Sequence, residues 1–138
     1  RFNESGVKPK GRVSQGSRGI SLFYGEKVIG MEIITGPGEI LSLTERGYGK
    51  RTNIDQYRQQ TRGGKGVLGM RLTLKVGPLA AVKFVRESDD LVIITDNGQV
   101  IKTKMSEVSS LNRSTQGVRI IRLKKDEKVV AIENISDV

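Results

Sequence analysis

The chain repeats itself, and this repetition limits the folds open to it more than any other feature of the sequence. Residues 1–34 align with residues 102–135 at a constant shift of 101 positions without a gap. A more divergent copy lies between them, with Arg62-Gly63-Gly64-Lys65-Gly66 in the slot that Arg113-Ser114-Thr115-Gln116-Gly117 fills in the last copy. A period near 50 residues predicts stacked or radial repeat units, none of which buries a core alone.

Short β-rich segments separated by turn residues recur through the chain. Aromatic residues make up only 4% of it, so a core must be built from Val, Ile and Leu, which favour strands. Asp96-Asn97-Gly98 predicts a hairpin turn because Asn-Gly accepts positive φ, and Arg46-Gly47 predicts the same turn one copy earlier. The predicted strands lie at 20–24, 28–34, 39–44, 48–52, 67–74, 79–85, 91–95, 99–103, 118–123 and 128–133.

Four strands in about 50 residues is the size of a propeller blade. We therefore predict an all-β, propeller-like fold built from four-stranded blades. A β-sandwich would show similar turn residues but has no reason to repeat at fixed spacing. The predicted organisation is one repeat domain, with the end of a blade at 1–36 and complete blade units at 37–87 and 88–138.

Composition narrows the function classes. The net charge of +9 indicates an anionic partner, most commonly nucleic acid. Without cysteine or histidine the chain has no thiol nucleophile, His-based triad or ordinary zinc site, and no carboxylate pair recurs as an acid/base couple. We expect no catalytic residue and no metal. No apolar run could span a bilayer and no signal peptide is evident, so we expect a cytoplasmic protein. The chain begins at Arg1 rather than Met, and we expect it to be part of a longer protein.

Basic residues cluster in the middle of the chain. Residues 46–75 hold eight basic residues and one acidic residue. Single-sign clustering of this kind predicts a phosphate-binding track. Its centre is Gln60-Thr61-Arg62-Gly63-Gly64-Lys65-Gly66, where glycines let backbone N–H groups approach an oxyanion. The loop is not a Walker motif, because Gly66 follows the lysine where Ser or Thr is needed. A plain tight turn is the alternative.

Cations recur at equivalent positions of the copies, which separates this loop from an ordinary turn. Arg12 and Arg18 have the same offset as Arg113 and Arg119, and Arg62 is in register with Arg12. We predict that these cations line one rim. For Arg18 and Arg119 an alternative is that their stems pack between units and their guanidinium groups bind loop carbonyls. Glycines at the equivalent positions 16, 66 and 117 are expected to meet a backbone requirement of the loop.

With these residues established, the chain resembles the C-terminal domain of DNA gyrase A. The resemblance covers essentially the whole chain. It is carried by Gly47-Tyr48-Gly49-Lys50-Arg51-Thr52, by Gln60–Gly66, which is similar to the gyrase box, and by Asn112-Arg113-Ser114-Thr115-Gln116-Gly117-Val118-Arg119. Thr61 stands where that box usually has a basic residue. The related domain of topoisomerase IV, with degenerate boxes, is the nearest competitor.

The resemblance implies a six-bladed β-pinwheel, of which this chain would be about half, that binds and wraps duplex DNA non-specifically. It implies the rest of gyrase A and the gyrase B protein as partners. It places ATP, magnesium and the cleavage tyrosine elsewhere in the holoenzyme, so no cofactor is expected here. The candidate DNA-binding residues are Arg12, Arg18, Arg46, Lys50, Arg51, Arg58, Arg62, Lys65, Lys102, Arg113 and Arg119.

Two other classes of function stay open. A basic propeller could dock an acidic protein instead of DNA. A single-strand or RNA binder is disfavoured, because stacking platforms need aromatic residues and the basic stretch offers only Tyr48 and Tyr57.

Overall fold

The computed structural model of the chain describes residues 1–136, and its strands form two antiparallel sheets. The first sheet has the order β3-β1-β2-β6 and the second β5-β4-β7. The strands are β1 (Glu39–Thr44), β2 (Tyr48–Asn53), β3 (Leu79–Val85), β4 (Asp90–Thr95), β5 (Val100–Lys104), β6 (Val118–Arg119) and β7 (Val129–Ile135). Between residues 1 and 136 the helical segments are three single 3-10 turns. The predicted all-β class is confirmed.

The repeat in the sequence is also a repeat in the backbone. The 3-10 turns Glu4–Gly6, Ile54–Gln56 and Met105–Glu107 follow one another at intervals of 50 and 51 residues. The strand pairs β1–β3 and β4–β7 each have a register shift at the equivalent place, between Leu43 and Thr44 and between Ile94 and Thr95. The units are therefore copies in three dimensions.

The predicted hairpins are confirmed. β1 pairs with β2 and β4 pairs with β5, both antiparallel. Gly47 and Gly98 have φ of +87° and +86° in the connecting turns, the left-handed region that a side chain disfavours.

One hydrophobic core joins the two sheets. Leu41 and Leu43 of β1 and Leu91 and Ile93 of β4 are completely buried in the same cluster. Strand β3 packs against β7, so these two strands face the junction between the units. The opposite edges, β2 with β6 and β5, point away from it. The core thus fixes an inner and an outer edge for each sheet.

The sheet of the unit at 37–87 includes a strand from outside that unit. Its sheet takes a fourth strand from the following unit, where Val118 and Arg119 pair with Gly49 and Tyr48. The second sheet has three strands among the described residues. The following unit therefore supplies a strand to the sheet of the unit before it.

Three predicted strands are wrong, and a fourth is shorter than expected. The segments 20–24, 28–34 and 67–74 form no strand, and of 118–123 only the first two residues pair. A strand exists only where a neighbour supplies a hydrogen-bonding edge.

Gly117 is where the exchanged strand enters its host sheet. Its φ is +77°, and a Cβ there would lie 2.6 Å from the carbonyl oxygen of Gly49. The equivalent Gly16 has a φ of +82° but nothing within 4 Å of a Cβ. We expect Gly16→Ala to cost about 1–2 kcal/mol for the left-handed backbone. We expect Gly117→Ala to cost about 1–3 kcal/mol more, because β6 must shift away from β2. Urea unfolding of the two variants measures the difference; equal losses would contradict the close packing of β6.

Candidate nucleic-acid interface

Three equivalent loops, at residues 9–19, 59–69 and 110–119, are called here edge loops 1, 2 and 3. Each has a turn at the same place. Gly16, Gly66 and Gly117 have φ of +82°, +82° and +77° at equivalent positions, so the predicted backbone requirement of these glycines is confirmed. The three loops are copies of one conformation.

Edge loop 3 lies along the outer edge of the first sheet. It begins beside Arg51, whose N–H donates to the Ser109 oxygen at 2.9 Å and whose oxygen accepts from the Leu111 N–H at 2.7 Å. It ends in β6, which pairs with β2. The loop therefore covers β2 on the side remote from β3.

The edge loops form a continuous row through backbone hydrogen bonds between them. Gly63 N donates to Gly19 O at 2.8 Å, which joins edge loops 1 and 2. Arg71 N, which follows edge loop 2, donates to Thr115 O in edge loop 3 at 3.0 Å. Arg12, Arg62 and Arg113 occupy equivalent turns of these joined loops. They do not scatter over unrelated faces.

The arginines of edge loops 2 and 3 each hold the loop before them. Arg62 donates from Nη1 to Arg18 O at 3.1 Å and from Nε to Gly6 O at 2.8 Å. Arg113 donates from Nη1 to Leu68 O at 2.8 Å, and Leu68 is the equivalent of Arg18. A guanidinium has five N–H donors, so both groups keep donors for an anion. Binding of loop carbonyls, which the sequence suggested as an alternative for Arg18 and Arg119, is thus observed for Arg62 and Arg113.

The other edge-loop candidates lie at the surface. Arg12, Arg18, Arg58 and Lys65 are exposed, and the Lys65 Nζ lies 5.3 Å from the centre of the Phe23 ring. None of these four forms an ion pair with a carboxylate of residues 1–136. The edge therefore carries unneutralised positive charge.

Lys50 is completely buried, which corrects its assignment as a DNA contact. Its Nζ donates to the backbone oxygens of Asn112, Arg113 and Thr115 at 2.6, 2.6 and 2.9 Å and lies 3.2 Å from the Thr115 Oγ1. Burial, with a smaller effect of the Arg113 charge, lowers the pKa of Lys50 to about 8. Lys50 shapes edge loop 3 from within.

Arg51 is buried as well, so it too is corrected. Its Nη1 forms an ion pair with Glu39 at 2.6 Å and its Nε donates to Val108 O at 2.7 Å. The motif that contains Lys50 and Arg51 is thus structural in this chain.

Lys102 lies on the exposed strand β5. Its Nζ is 3.2 Å from an Asp90 carboxylate oxygen, so its charge is partly neutralised. It does not join the edge loops.

A second basic feature lies beside edge loop 3, in an open groove at the β1–β2 turn. It contains two predicted residues, Arg46 and Arg119, and cations that the sequence interpretation did not select. The cations lining it are Arg46, Lys75, Arg119, Arg122, Lys124 and Lys128. Three of them come from residues 122–128, outside the basic stretch of the sequence, so charge clustering along the chain gave no signal.

No group of three or more His, Cys, Asp or Glu side chains in residues 1–136 is placed to hold a metal ion. None of the helical segments in this part of the chain has the length and apolar character that crossing a membrane requires.

The fold and the site together define a propeller-like repeat domain in which one unit supplies a strand to the sheet of its neighbour and the outer edge is cationic. The chain belongs to the DNA gyrase C-terminal domain, beta-propeller family, whose model matches residues 1–35, 38–85 and 89–136. These three matches fall within the three predicted units.

Sequence comparison connects the chain with gyrase proteins. It is 39% identical over 137 residues to the DNA gyrase A protein of Salmonella typhimurium and, over the same length, to that of Escherichia coli. Identity to the DNA gyrase A protein of Staphylococcus aureus is 37% over 139 residues. Each alignment covers 99% of this chain and 16% of the relative. The chain therefore spans about one sixth of the length of these relatives.

Structural comparison finds the same fold in two solved domains. A DNA gyrase A C-terminal domain matches with a TM-score of 0.90 at 23% identity, over 96% of this chain and 45% of that one. A C-terminal domain of DNA topoisomerase IV matches with a TM-score of 0.90 at 22% identity, over 98% and 42%. Fold similarity does not separate the two enzymes, whereas the sequence relatives above are gyrase proteins.

Proposed function

We propose that this chain is a DNA-wrapping part of gyrase A, which binds duplex DNA along its outer edge. The observation that carries the proposal is the row of edge loops joined by hydrogen bonds, with Arg12, Arg62 and Arg113 at equivalent turns. Regularly spaced cations without carboxylate partners suit a polymer of regularly spaced phosphates.

The residue types favour duplex DNA of any sequence. Lys and Arg contacts to phosphate fix position and carry no sequence information. Single-stranded bases stack on exposed aromatic rings, but in the basic stretch Tyr48 is buried and Tyr57 is half-buried. Phe23, beside Lys65 of edge loop 2, is an exposed ring, so a comparison of duplex with single-stranded DNA tests this preference.

Wrapping needs enough contacts to offset bending. Smooth bending of 20–30 base pairs costs on the order of 1–6 kcal/mol. An edge made of repeated units supplies phosphate contacts at intervals, so the cost of bending is shared by several loops.

We assign the chemical steps of the reaction to the other parts of the parent enzyme. The C-terminal domain binds and bends DNA, while strand cleavage and ATP hydrolysis with magnesium reside in the remainder of gyrase A and in gyrase B. This chain is then catalytically inert and acts in the cytoplasm, associated with the nucleoid.

Edge loop 2 provides the first test. Replacing Arg62 and Lys65 together by alanine is expected to weaken binding to several unrelated duplexes by the same factor, because only phosphate contacts are lost. Fluorescence anisotropy with labelled duplexes of equal length measures this. Arg86→Ala with Lys104→Ala is the control. It also removes one Arg and one Lys, but these lie beside the beginning of β1 and β4, away from the edge loops. Losses that differ strongly between sequences would indicate base readout and contradict the proposal.

A further inference from the structure

The basic groove lies at the junction between the two sheets and is built by both. Val129 N donates to Glu45 O at 2.9 Å across this junction. Within the second unit, Asp96 N donates to Lys128 O at 3.0 Å. The β1–β2 turn forms one wall, and the segment that leads into β7 forms the other. Anything bound in the groove therefore touches two successive units.

The charge in the groove is strongly unbalanced. Its lining has six basic residues against Glu45, Asp126 and Glu127. Glu127 is buried, and its carboxylate is occupied by the Thr95 hydroxyl at 3.0 Å and the Lys124 N–H at 3.0 Å. None of the six cations forms an ion pair with a carboxylate of the described chain. The groove is therefore open to an external anion.

Tyr48 holds two of these cations in place. The Lys75 Nζ lies 5.6 Å from the centre of its ring and the Arg119 Cζ 5.4 Å, and Arg119 Nη2 donates to the Tyr48 hydroxyl at 2.9 Å. Side chains that are already positioned lose less entropy when an anion binds. The pair is thus preorganised for a phosphate.

The groove is continuous with the row of edge loops. A shallower extension of it is lined by residues 116–119 of edge loop 3 together with Tyr48 and Lys75. Arg62 and Arg113 of the edge loops spend donors on carbonyls, and Lys50 and Arg51 are buried. The groove cations are not committed to carbonyls in this way, so the groove adds anion-binding donors to those that Arg12, Arg18 and Lys65 offer in the edge loops.

We propose that this groove binds backbone phosphates of duplex DNA, so that the duplex crosses there from the edge of one unit to the next. The inference rests on the proposed function and adds to it the place at the junction where DNA is held. It also adds Lys75 and the cations of residues 119–128 to the phosphate contacts made by the edge loops.

The test compares two variants that lose the same charges. Arg122→Gln with Lys124→Gln removes two of the six positive charges that line the groove. Arg86→Gln with Lys104→Gln removes one Arg and one Lys at the ends of β3 and β5, about 17 Å away along the strands. Duplex affinity is measured against salt concentration by anisotropy, and thermal unfolding confirms that both variants fold.

The groove variant should reduce the steepness of the log-log salt dependence by about 2, one unit for each lost phosphate contact. The control variant should leave it unchanged. Equal slopes for the two variants, with normal binding by the parent chain, would overturn the groove proposal alone. No duplex binding by the parent chain would instead overturn the proposed function.

A position-specific readout is available because the chain has no cysteine. Duplex DNA carrying a thiol-reactive group on one phosphate should crosslink to Lys128→Cys in the groove and several-fold less to Lys104→Cys. Equal yields at the two positions would contradict the assignment of the groove.

Discussion

Replacing Lys50 by methionine is expected to lower the free energy of unfolding by about 3 kcal/mol or more. Methionine keeps much of the chain length but removes the donor shared by three backbone oxygens and a hydroxyl. Thr115 O and Asn112 O keep donors in Arg71 N and Thr115 N, whereas Arg113 O has no other donor in residues 1–136. A buried oxygen left without a partner costs roughly 1–3 kcal/mol, and each lost hydrogen bond to a charged donor about 1.5–3 kcal/mol. Because a domain is stable by only about 5–15 kcal/mol, this loss would be a large part of the total.

Urea unfolding at neutral pH measures the effect, with Lys104→Met on the exposed end of β5 as the matched control. The control should change stability by about 0.5 kcal/mol or less. Similar losses for the two variants would show that Lys50 does not hold edge loop 3.

The lowered pKa of Lys50 gives this prediction a dependence on pH. Its pKa is about 8 in the folded chain against an ordinary 10.5, so between these values the unfolded chain binds more protons. The free energy of unfolding then rises with pH, by at most about 1.4 kcal/mol per pH unit. The difference in the free energy of unfolding between the parent chain and Lys50→Met should therefore increase from pH 8 to 10.5. A difference that stays constant or decreases would contradict the shifted pKa.

The affinity for duplex DNA is expected to fall about 1000-fold between 50 and 200 mM salt. About six phosphate contacts give a log-log slope near −5, since each contact releases about 0.9 of a counterion. Anisotropy titrations at four or more salt concentrations measure the slope. A single strand of equal length serves as the comparison and should give a shallower slope, because each contact to a single strand releases only about 0.7 of a counterion. An affinity that does not change with salt would exclude an interface made of phosphate contacts.

Much of the fold could be predicted from local pattern. The strands β1 to β5 and β7 were located within one or two residues, because alternating apolar residues and Gly turns are local signals. The strand predictions that were wrong have one cause. Residues 67–74 and 118–123 have similar β-forming composition, yet only Val118 and Arg119 find an edge to pair with, that of β2. A partner from another unit cannot be found from the sequence of the segment itself.

The same cause explains the errors at the site. The cations of edge loops 1, 2 and 3 were found because they recur at a fixed interval. Lys50 and Arg51 lie in the same basic stretch, but edge loop 3 and the residues just before it, some 60 residues later, fold over them and bury both. The groove was missed for the opposite reason: Lys75 and Lys124 are distant in the chain and meet only where two units pack together. Charge clustering along a sequence does not distinguish a buried cation from an exposed one.

The central claim, that joined edge loops form one curved track for DNA, is tested most directly by topology. Nicked circular DNA is ligated with increasing amounts of the chain bound, the protein is removed, and the linking-number distribution is resolved by gel electrophoresis. We predict a shift in one direction that grows with the amount bound and is smaller for the Arg62→Ala and Lys65→Ala double variant. A distribution that stays unchanged at saturating binding would contradict wrapping.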